Sequence, residues 1–273
     1  MASKTIELSD NMPDFKDMKS GSFFHTEVEC INEFGEVLFK KSNIILTGGR
    51  RFTLEKLFNV TNTARLTLNE ILGVNVTSPT DNNGPRQDKM VCLFGIGNGG
   101  SGQALGDVYA PKNNESNLYN LLPFRLVNNE LDTATRLKYY MRREQGGQIA
   151  YYLKRFENEP ALRMRQGDVN FVPSNQYNTP PTLSGNSLGH DSVDTYVEME
   201  LKIDVQDVVE SLQTMDGRSA YINELGLYLG VQTATGTGWR EYSEVECFSK
   251  LTFNPIFLDE FSTELTIYYR IYC

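Results

Sequence analysis

The sequence predicts a mainly β protein: an antiparallel β-sandwich with a few short helices and long loops. Several short segments alternate apolar and polar residues, which is the period of a strand buried on one face. Clusters rich in Gly, Asn, Pro and Ser separate these segments, and such clusters form turns. The chain is 40% hydrophobic and 22% charged, the ordinary range of a globular protein. Together these observations favour two packed sheets.

The size and charge of the chain limit its organisation and its partners. A chain of 273 residues buries about 73% of its unfolded surface, so it can build a real core. We expect one β-rich domain over residues 23–273, preceded by an N-terminal arm over residues 1–22. The formal net charge is -9, which argues against nucleic acid as the main partner, because no overall basic field attracts phosphates.

The N-terminal part predicts a hairpin followed by a helix. Residues His25–Ile31 and Glu36–Lys41 alternate in polarity, and Gly35 supplies the positive φ of the turn between them. Residues 43–46 continue as an extended segment. Helical spacing of apolar residues predicts a helix over Arg50–Asn59, with its N-cap at Thr47 or Gly49. A second short helix is predicted over Leu66–Leu72.

The middle of the chain predicts shorter strands between long loops. The loops are expected at residues 75–89, 97–117 and 166–190. A predicted strand covers Met90–Ile96, and an apolar pattern resumes over Leu118–Val127, where Pro123 interrupts it. A second hairpin joins Arg136–Arg143 to Gln148–Glu157 through the glycine-bearing turn 144–147. Its four tyrosines are expected to make cross-strand contacts: Tyr139, Tyr140, Tyr151 and Tyr152.

The last third of the chain has the clearest pattern. Thr195–Ile203 alternates strictly, and Asp204 is placed to cap a helix over Val205–Met215. Three further strands are predicted: Tyr221–Leu229, Phe248–Phe253 and Thr263–Tyr272. A terminal strand held in a sheet is the expected way to order the end of a chain.

Cysteine spacing and hydropathy argue against disulfides, zinc ligands and a membrane partner. Cys30, Cys92, Cys247 and Cys273 are widely spaced, with no CxxC pair, and the N-terminus has no apolar region of a secretory signal. We therefore expect buried thiols rather than disulfides or zinc ligands. No run approaches 18 uninterrupted apolar residues, so we expect no membrane partner.

A glycine motif, Gly95–Gly100, satisfies the GxGxxG pattern directly after a predicted strand. A dinucleotide site needs its third glycine to open a helix that holds the pyrophosphate. Gly106 and Pro111 follow the motif too closely for such a helix to form there. The motif therefore predicts a glycine-rich surface loop, and we expect no cofactor.

Catalytic candidates are few. His25, on a predicted strand, is expected to be an ordinary, partly buried imidazole. His190 lies in a predicted loop, and no HExxH motif accompanies either histidine, so we expect no metal. Two carboxylates are enough for glycoside hydrolysis, but Glu198, Glu200 and Glu224 alternate with apolar residues, which predicts a solvated strand face. We expect no catalytic residue.

The middle of this acidic chain is locally basic and interleaved with tyrosines. Nucleic-acid binding is one interpretation of this pattern. We favour the alternative, a charged strand face or an interface with an acidic neighbouring subunit, because the overall charge is negative. The candidate interface residues are Arg136, Lys138, Arg142, Arg143, Lys154, Arg155, Arg163 and Arg165.

Five separated segments resemble a known class of protein. The run Glu224-Leu225-Gly226-Leu227-Tyr228 has the "EhGLY" pattern, with h apolar, of strands in many structural proteins of tailed bacteriophages. The closing "FSKLTF … ELTIYYRIY" is similar to the final strands of such proteins, and the Leu-Thr-Gly-Gly-Arg and Gly-Ile-Gly-Asn-Gly-Gly segments also resemble them. The segments are Leu46–Phe52, Leu93–Gly100, Tyr221–Leu229, Phe248–Phe253 and Glu264–Tyr272.

The resemblance implies a non-enzymatic virion component of the tail or baseplate, with the neck, collar or capsid decoration as the next position. It would be made in the host cytoplasm and reside in the virion. Its partners would be other virion structural proteins, in a symmetric assembly of several copies. The first alternative is a carbohydrate- or receptor-binding module that stacks sugars on exposed tyrosines and Trp239. The second alternative is an enzyme that uses two carboxylates.

Overall fold

The computed structural model describes residues 25–58, 89–102, 107–112, 114–136, 138–140, 142–166, 193–216, 220–234, 240–258 and 263–272. The predicted arm at residues 1–22, the helix at 66–72 and nearly all of the loops at 75–89 and 166–190 lie outside the described residues. Strand makes up 56% of the described residues and helix 15%. The fold is mainly β, as the alternating pattern predicts.

The first sheet has five antiparallel strands in the order β10–β11–β14–β1–β2. The C-terminal strand β14 lies at its centre, where Arg270 is opposite Glu27 on one side and Glu198 on the other. This position confirms the terminal strand expected from the alternation. The strands are β1 (His25–Asn32), β2 (Val37–Lys41), β10 (Ala161–Gln166), β11 (Val193–Asp204) and β14 (Glu264–Tyr272).

The second sheet has six antiparallel strands in the order β3–β13–β12–β4–β5, with β9 also paired to β4. A small third sheet has the order β6–β8–β7. The strands of the second sheet are β3 (Ile44–Ile45), β4 (Met90–Gly97), β5 (Leu121–Leu122), β9 (Lys154–Arg155), β12 (Tyr221–Ala234) and β13 (Arg240–Phe257). Those of the third are β6 (Arg125–Val127), β7 (Arg142–Gln145) and β8 (Gln148–Tyr151).

The main core lies between the two large sheets. Leu201 and Ile267 of the first sheet and Leu227 and Phe253 of the second belong to one buried cluster. Each of these side chains is 0% exposed, and its burial stabilises the fold by on the order of 1.5–3 kcal/mol. This cluster makes the two large sheets a sandwich.

A second buried cluster explains why the central strands lack clean alternation. It includes Leu93, Leu153 and Tyr228, whereas Phe94 and Leu227, their neighbours in sequence, belong to the main core. The second sheet is therefore covered on both faces near β4 and β12. A strand covered on both faces is apolar almost continuously rather than in alternation.

Helix α1 (Thr47–Phe58) begins earlier than the sequence predicts. Thr47 and Gly49 are helical residues rather than alternative caps before a helix at Arg50. A Cβ atom on Gly49 would lie 2.4 Å from the carbonyl oxygen of Phe248. The glycine therefore allows the first turn of α1 to lie directly against β13.

The other two helices are α2 (Thr133–Arg136) and α3 (Val205–Asp216). The predicted helix after Asp204 is confirmed, and its apolar face (Val205, Val208, Val209 and Leu212) joins the main core. Asp204 itself is the last residue of β11. The predicted strand over 136–143 is wrong in its first part, because Arg136 ends helix α2 and the strand β7 begins only at Arg142.

Both predicted hairpins form. Gly35 has φ +79° at the first turn, and Gly146 and Gly147 have φ +59° and +82° at the second. The second hairpin is shorter than predicted because the chain turns at Leu153, whose φ is +49°, before β9 pairs with another sheet. The predicted tyrosine contacts occur in part: Tyr139 packs on Tyr151, but Tyr140 packs on Tyr242 of β13.

Candidate functional site

The functional candidate with the most specific geometry is a buried acid on β12, Glu224. Its carboxylate lies on the face opposite Leu225 and Leu227, which point into the main core. Glu224 is 0% exposed. A buried carboxylate requires full hydrogen bonding and a counter-charge to remain ionised.

Three backbone groups donate hydrogen bonds to this carboxylate. Oε2 accepts from the N–H groups of Gly99 at 2.9 Å and Asn120 at 3.0 Å, and Oε1 accepts from the N–H of Tyr119 at 2.8 Å. The donors come from two different loops. Glu224 therefore fastens both loops to the second sheet. We call Glu224, Lys250, Glu115 and Tyr119 the clasp.

Lys250 supplies the counter-charge from the neighbouring strand. It lies opposite Gly226 in the β12–β13 register, two residues along from Glu224, so the two side chains are diagonal neighbours on one face. Its Nζ atom lies 3.4 Å from Glu224 Oε1 and 3.2 Å from Glu115 Oε2. Lys250 is 0% exposed and also lies over the Tyr119 ring.

Glu115 and Tyr119 close the clasp toward solvent. The Tyr119 hydroxyl donates to Glu115 Oε1 at 2.5 Å. Burial raises the pKa of Tyr119, and the hydrogen bond to Glu115 raises it further. Burial also raises the pKa of Glu115, but hydrogen bonds from Tyr119 and Lys250 and the charge of Lys250 outweigh it, so that pKa lies below its ordinary value.

Asn223 fixes the glycine motif beside the clasp. Its Oδ1 accepts the N–H of Gly100 at 2.8 Å, and its Nδ2 donates to Ser101 Oγ at 2.9 Å. A Cβ on Gly100 would lie 2.6 Å from the Asn223 carbonyl oxygen, and a Cβ on Gly97 2.6 Å from Glu224 Oε2. These glycines are required by close approach to β12 rather than by a ligand.

Polar groups of the glycine motif already have hydrogen-bond partners within the fold. The N–H groups of Gly99 and Gly100, which a phosphate would need, already donate to Glu224 and Asn223. The predicted surface loop is thus corrected in one respect: Gly97 and Gly100 are buried. Glu224 has three donors and an ammonium group around it, so it is poorly placed to exchange a proton with a substrate.

The three candidate acids do not come together. Glu198 and Glu200 lie on β11 of the first sheet and Glu224 on β12 of the second. The prediction of a solvated face holds for Glu200, but it is wrong for Glu224. It is also wrong for Glu198, whose Oε2 accepts from Arg270 Nε at 2.9 Å and whose side chain is 11% exposed.

A model of one protein family, a family of unknown function (DUF7208), matches residues 53–246. The chain belongs to this family. The DUF7208 match covers more than two thirds of the chain and contains Glu224 and the glycine motif, while Lys250 lies just beyond it. No curated protein and no solved structure matches the chain.

The candidate interface residues of this DUF7208 chain are distributed over all three sheets. Arg142 and Arg143 lie on β7, Lys154 and Arg155 on β9, and Arg163 and Arg165 on β10; Arg136 ends α2, and Lys138 follows it. The fold therefore does not gather the eight residues on one strand face.

The four of these residues outside β7 and β10 differ in environment. Lys138 is exposed. Arg136 forms an ion pair with Glu130, and the Arg155 guanidinium lies over the Tyr242 ring. Lys154 is buried, where its Nζ donates to the Lys202 carbonyl at 2.9 Å and pairs with Glu157. The hydrogen bond from Lys154 to the Lys202 carbonyl joins the two large sheets. Lys154 is therefore not available to a partner surface.

The histidine and cysteine predictions have different outcomes. His25 lies on β1 as predicted, but it is exposed rather than partly buried, with its ring stacked on Tyr272 at 4.3 Å. Cys30, Cys92 and Cys247 are buried free thiols, as expected.

Within the described ranges, no cluster of His, Cys, Asp or Glu is arranged to hold a metal ion. None of the described helices is both long and apolar enough to cross a bilayer.

Proposed function

We propose that this DUF7208 chain is a non-enzymatic structural subunit of a tailed-bacteriophage virion, in the tail or baseplate, that acts through contacts between subunits. The neck, collar or capsid surface is the next position. After synthesis in the host cytoplasm it would reside in the virion, beside other virion structural proteins in a symmetric assembly of several copies.

The observation that carries this proposal is the pairing of the segments that resemble phage structural proteins. The EhGLY strand and the glycine motif are adjacent: Glu224 is opposite Gly97, and Gly226 is opposite Gly95. The acid of the first motif holds the loop of the second. The resemblance thus involves one connected structural unit rather than unrelated fragments.

The function of that unit would be to hold loops rigidly. Glu224 and Lys250 are wholly buried and neutralise each other, and Arg270 binds Glu27, Glu29 and Glu198 across three strands of the other sheet. Ordered loops lose less conformational entropy on association. A subunit that must fit its neighbours benefits from this rigidity.

The test is mass spectrometry of gradient-purified phage particles. The proposal expects the chain in the particle fraction, in fixed proportion to the major tail proteins. Its absence from particles, with the chain found only as free protein in the lysate, would overturn the proposal.

A carbohydrate- or receptor-binding module is the second candidate, and one observation favours it. Tyr109 and Tyr119 are 46% and 43% exposed, and their rings meet edge to face with centroids 5.7 Å apart. Exposed aromatic rings can stack on sugars. A glycan array would favour this candidate if it gave a sugar-specific signal that Tyr109→Ala removed.

A further inference from the structure

The turn between β1 and β2 holds an aromatic side chain out in water. Phe34 is 80% exposed, Val37 56% and Leu38 41%. We call these three residues, together with Glu33 and Glu36, the hairpin tip. Exposed apolar clusters of this kind mark contact sites more often than single exposed residues do.

Hydrogen bonds to the Asn32 side chain hold the hairpin tip in one conformation. Asn32 Oδ1 accepts the N–H groups of Phe34 at 3.0 Å and Glu36 at 2.9 Å, and its Nδ2 donates to Glu36 Oε2 at 2.8 Å. The conformation that exposes Phe34 is therefore fixed before any partner binds. An exposed aromatic residue fixed in this way is suited to anchor an interface.

Helix α1 presents a second exposed apolar surface. Leu54 is 48% exposed, Leu57 66% and Phe58 70%. Together with Arg50, which is also exposed, they recur at i, i+4, i+7 and i+8 and share one side of the helix. We call these four residues the α1 face.

The two surfaces are complementary in charge. The hairpin tip carries Glu33 and Glu36 and no basic residue, whereas the α1 face carries Arg50 and no acidic residue. The neighbouring Arg51 pairs with Glu55 and Glu246 within the chain. Both surfaces are open in the described part of a single chain, so neither covers the other there. Contact between two different patches of identical chains generates rings or helical stacks.

We infer that the hairpin tip of one copy docks on the α1 face of a second copy, with Phe34 packing among Leu54, Leu57 and Phe58. Glu33 and Glu36 then approach Arg50, the cation of the α1 face. This inference rests on the proposed function and deepens it, because it names the two elements through which copies associate.

The experiment joins two differently tagged full-length chains, both with Cys273→Ser. One carries Glu33→Cys, within the hairpin tip, and the other carries Thr53→Cys, beside the α1 face; Phe34, Glu36, Arg50 and Leu57 stay intact. A short bismaleimide should link the two tags about tenfold more than when Thr53→Cys is replaced by the exposed control Ser116→Cys, because docking raises the effective concentration of the thiols. The native thiols react slowly, since burial raises the pKa of Cys30, Cys92 and Cys247 to about 12.

Adding Phe34→Ser to the first chain or Leu57→Ser to the second should reduce the linked product to the control yield. A yield that stays at control in the unaltered pair, or that neither serine reduces, overturns the inference. If the chain is nevertheless found in purified particles, the proposed function stands and only this contact is wrong. If the chain is absent from particles, the proposed function fails whatever the cross-linking gives.

Discussion

The carboxylate of Glu224 lies 2.9 Å from the backbone nitrogen of Gly99, so an acid in the middle of a buried strand holds a glycine loop in place. Its counter-charge, Lys250, is equally buried on the next strand. An ion pair removed from water is strongly destabilised when only one partner is removed. This relationship gives the first prediction.

Glu224→Gln should reduce the free energy of unfolding by about 3 kcal/mol, because Lys250 keeps its charge and the new amide turns one acceptor into a donor facing backbone N–H groups. Urea unfolding measures the loss. Glu33→Gln, at an exposed site, should change stability by less than about 0.5 kcal/mol.

The pair also predicts non-additivity. The double variant with Glu224→Gln and Lys250→Met should be more stable than the sum of the single losses implies, by about 1–3 kcal/mol. If the two single losses of stability simply added in the double variant, the two charges would not interact. That result would contradict the 3.4 Å separation of their atoms.

Gly97→Ala should destabilise the chain by about 1–3 kcal/mol, because the added methyl group meets the carbonyl oxygen of Asn120 and the carboxylate of Glu224, each at 2.6 Å. Gly102→Ala is the matched control in the same loop, where the nearest atom is Tyr109 Oη at 3.4 Å. Equal losses for the two variants would show that the loop does not lie against β12.

Stability should fall as the pH rises above about 9. Burial raises the pKa of Cys30, Cys92 and Cys247 from 9.0 to about 12. Between these values the unfolded chain has lost protons that the folded chain keeps, so the free energy of unfolding decreases by at most about 1.4 kcal/mol per pH unit for each thiol. Denaturation at pH 8, 9 and 10 measures the slope. Cys92→Ala should make it shallower, and an unchanged slope would contradict the assignment.

Arg270→Met should cost about 1–3 kcal/mol at pH 7, because Glu27, Glu29 and Glu198 lose their shared cation. Lys40→Met removes an exposed partner of Glu27 and should cost less than about 1 kcal/mol. Equal losses for the two variants would show that Arg270 contributes no more than an exposed ion pair does.

Alternation predicts strands where one face is buried and the other is polar. It places β11 and β14 within two residues of their ends, because Leu201 and Ile267 face the core while Glu200 and Lys202 face outward. It underestimates β12 and β13, which reach Ala234 and begin at Arg240. It misses β10 entirely, an edge strand of six residues that pairs with β11.

The clasp could not be predicted from alternation, because the pattern says which face a residue lies on but not what covers that face. Glu224 lies opposite the core face, as a solvated residue would, but the loops around Gly99 and Tyr119 cover it. One signal was present: Lys250 stands inside the predicted strand Phe248–Phe253, and a lysine within a buried strand requires an acidic partner.

The copy number of this chain in purified phage particles decides whether it is a structural subunit of the virion. Isotope-labelled peptides from residues 240–258 would give the molar ratio to a major tail protein across a density gradient. We expect several copies per particle, in a ratio that stays constant through the particle peak. A chain that falls away from that peak, or is missing from it, is not a virion subunit.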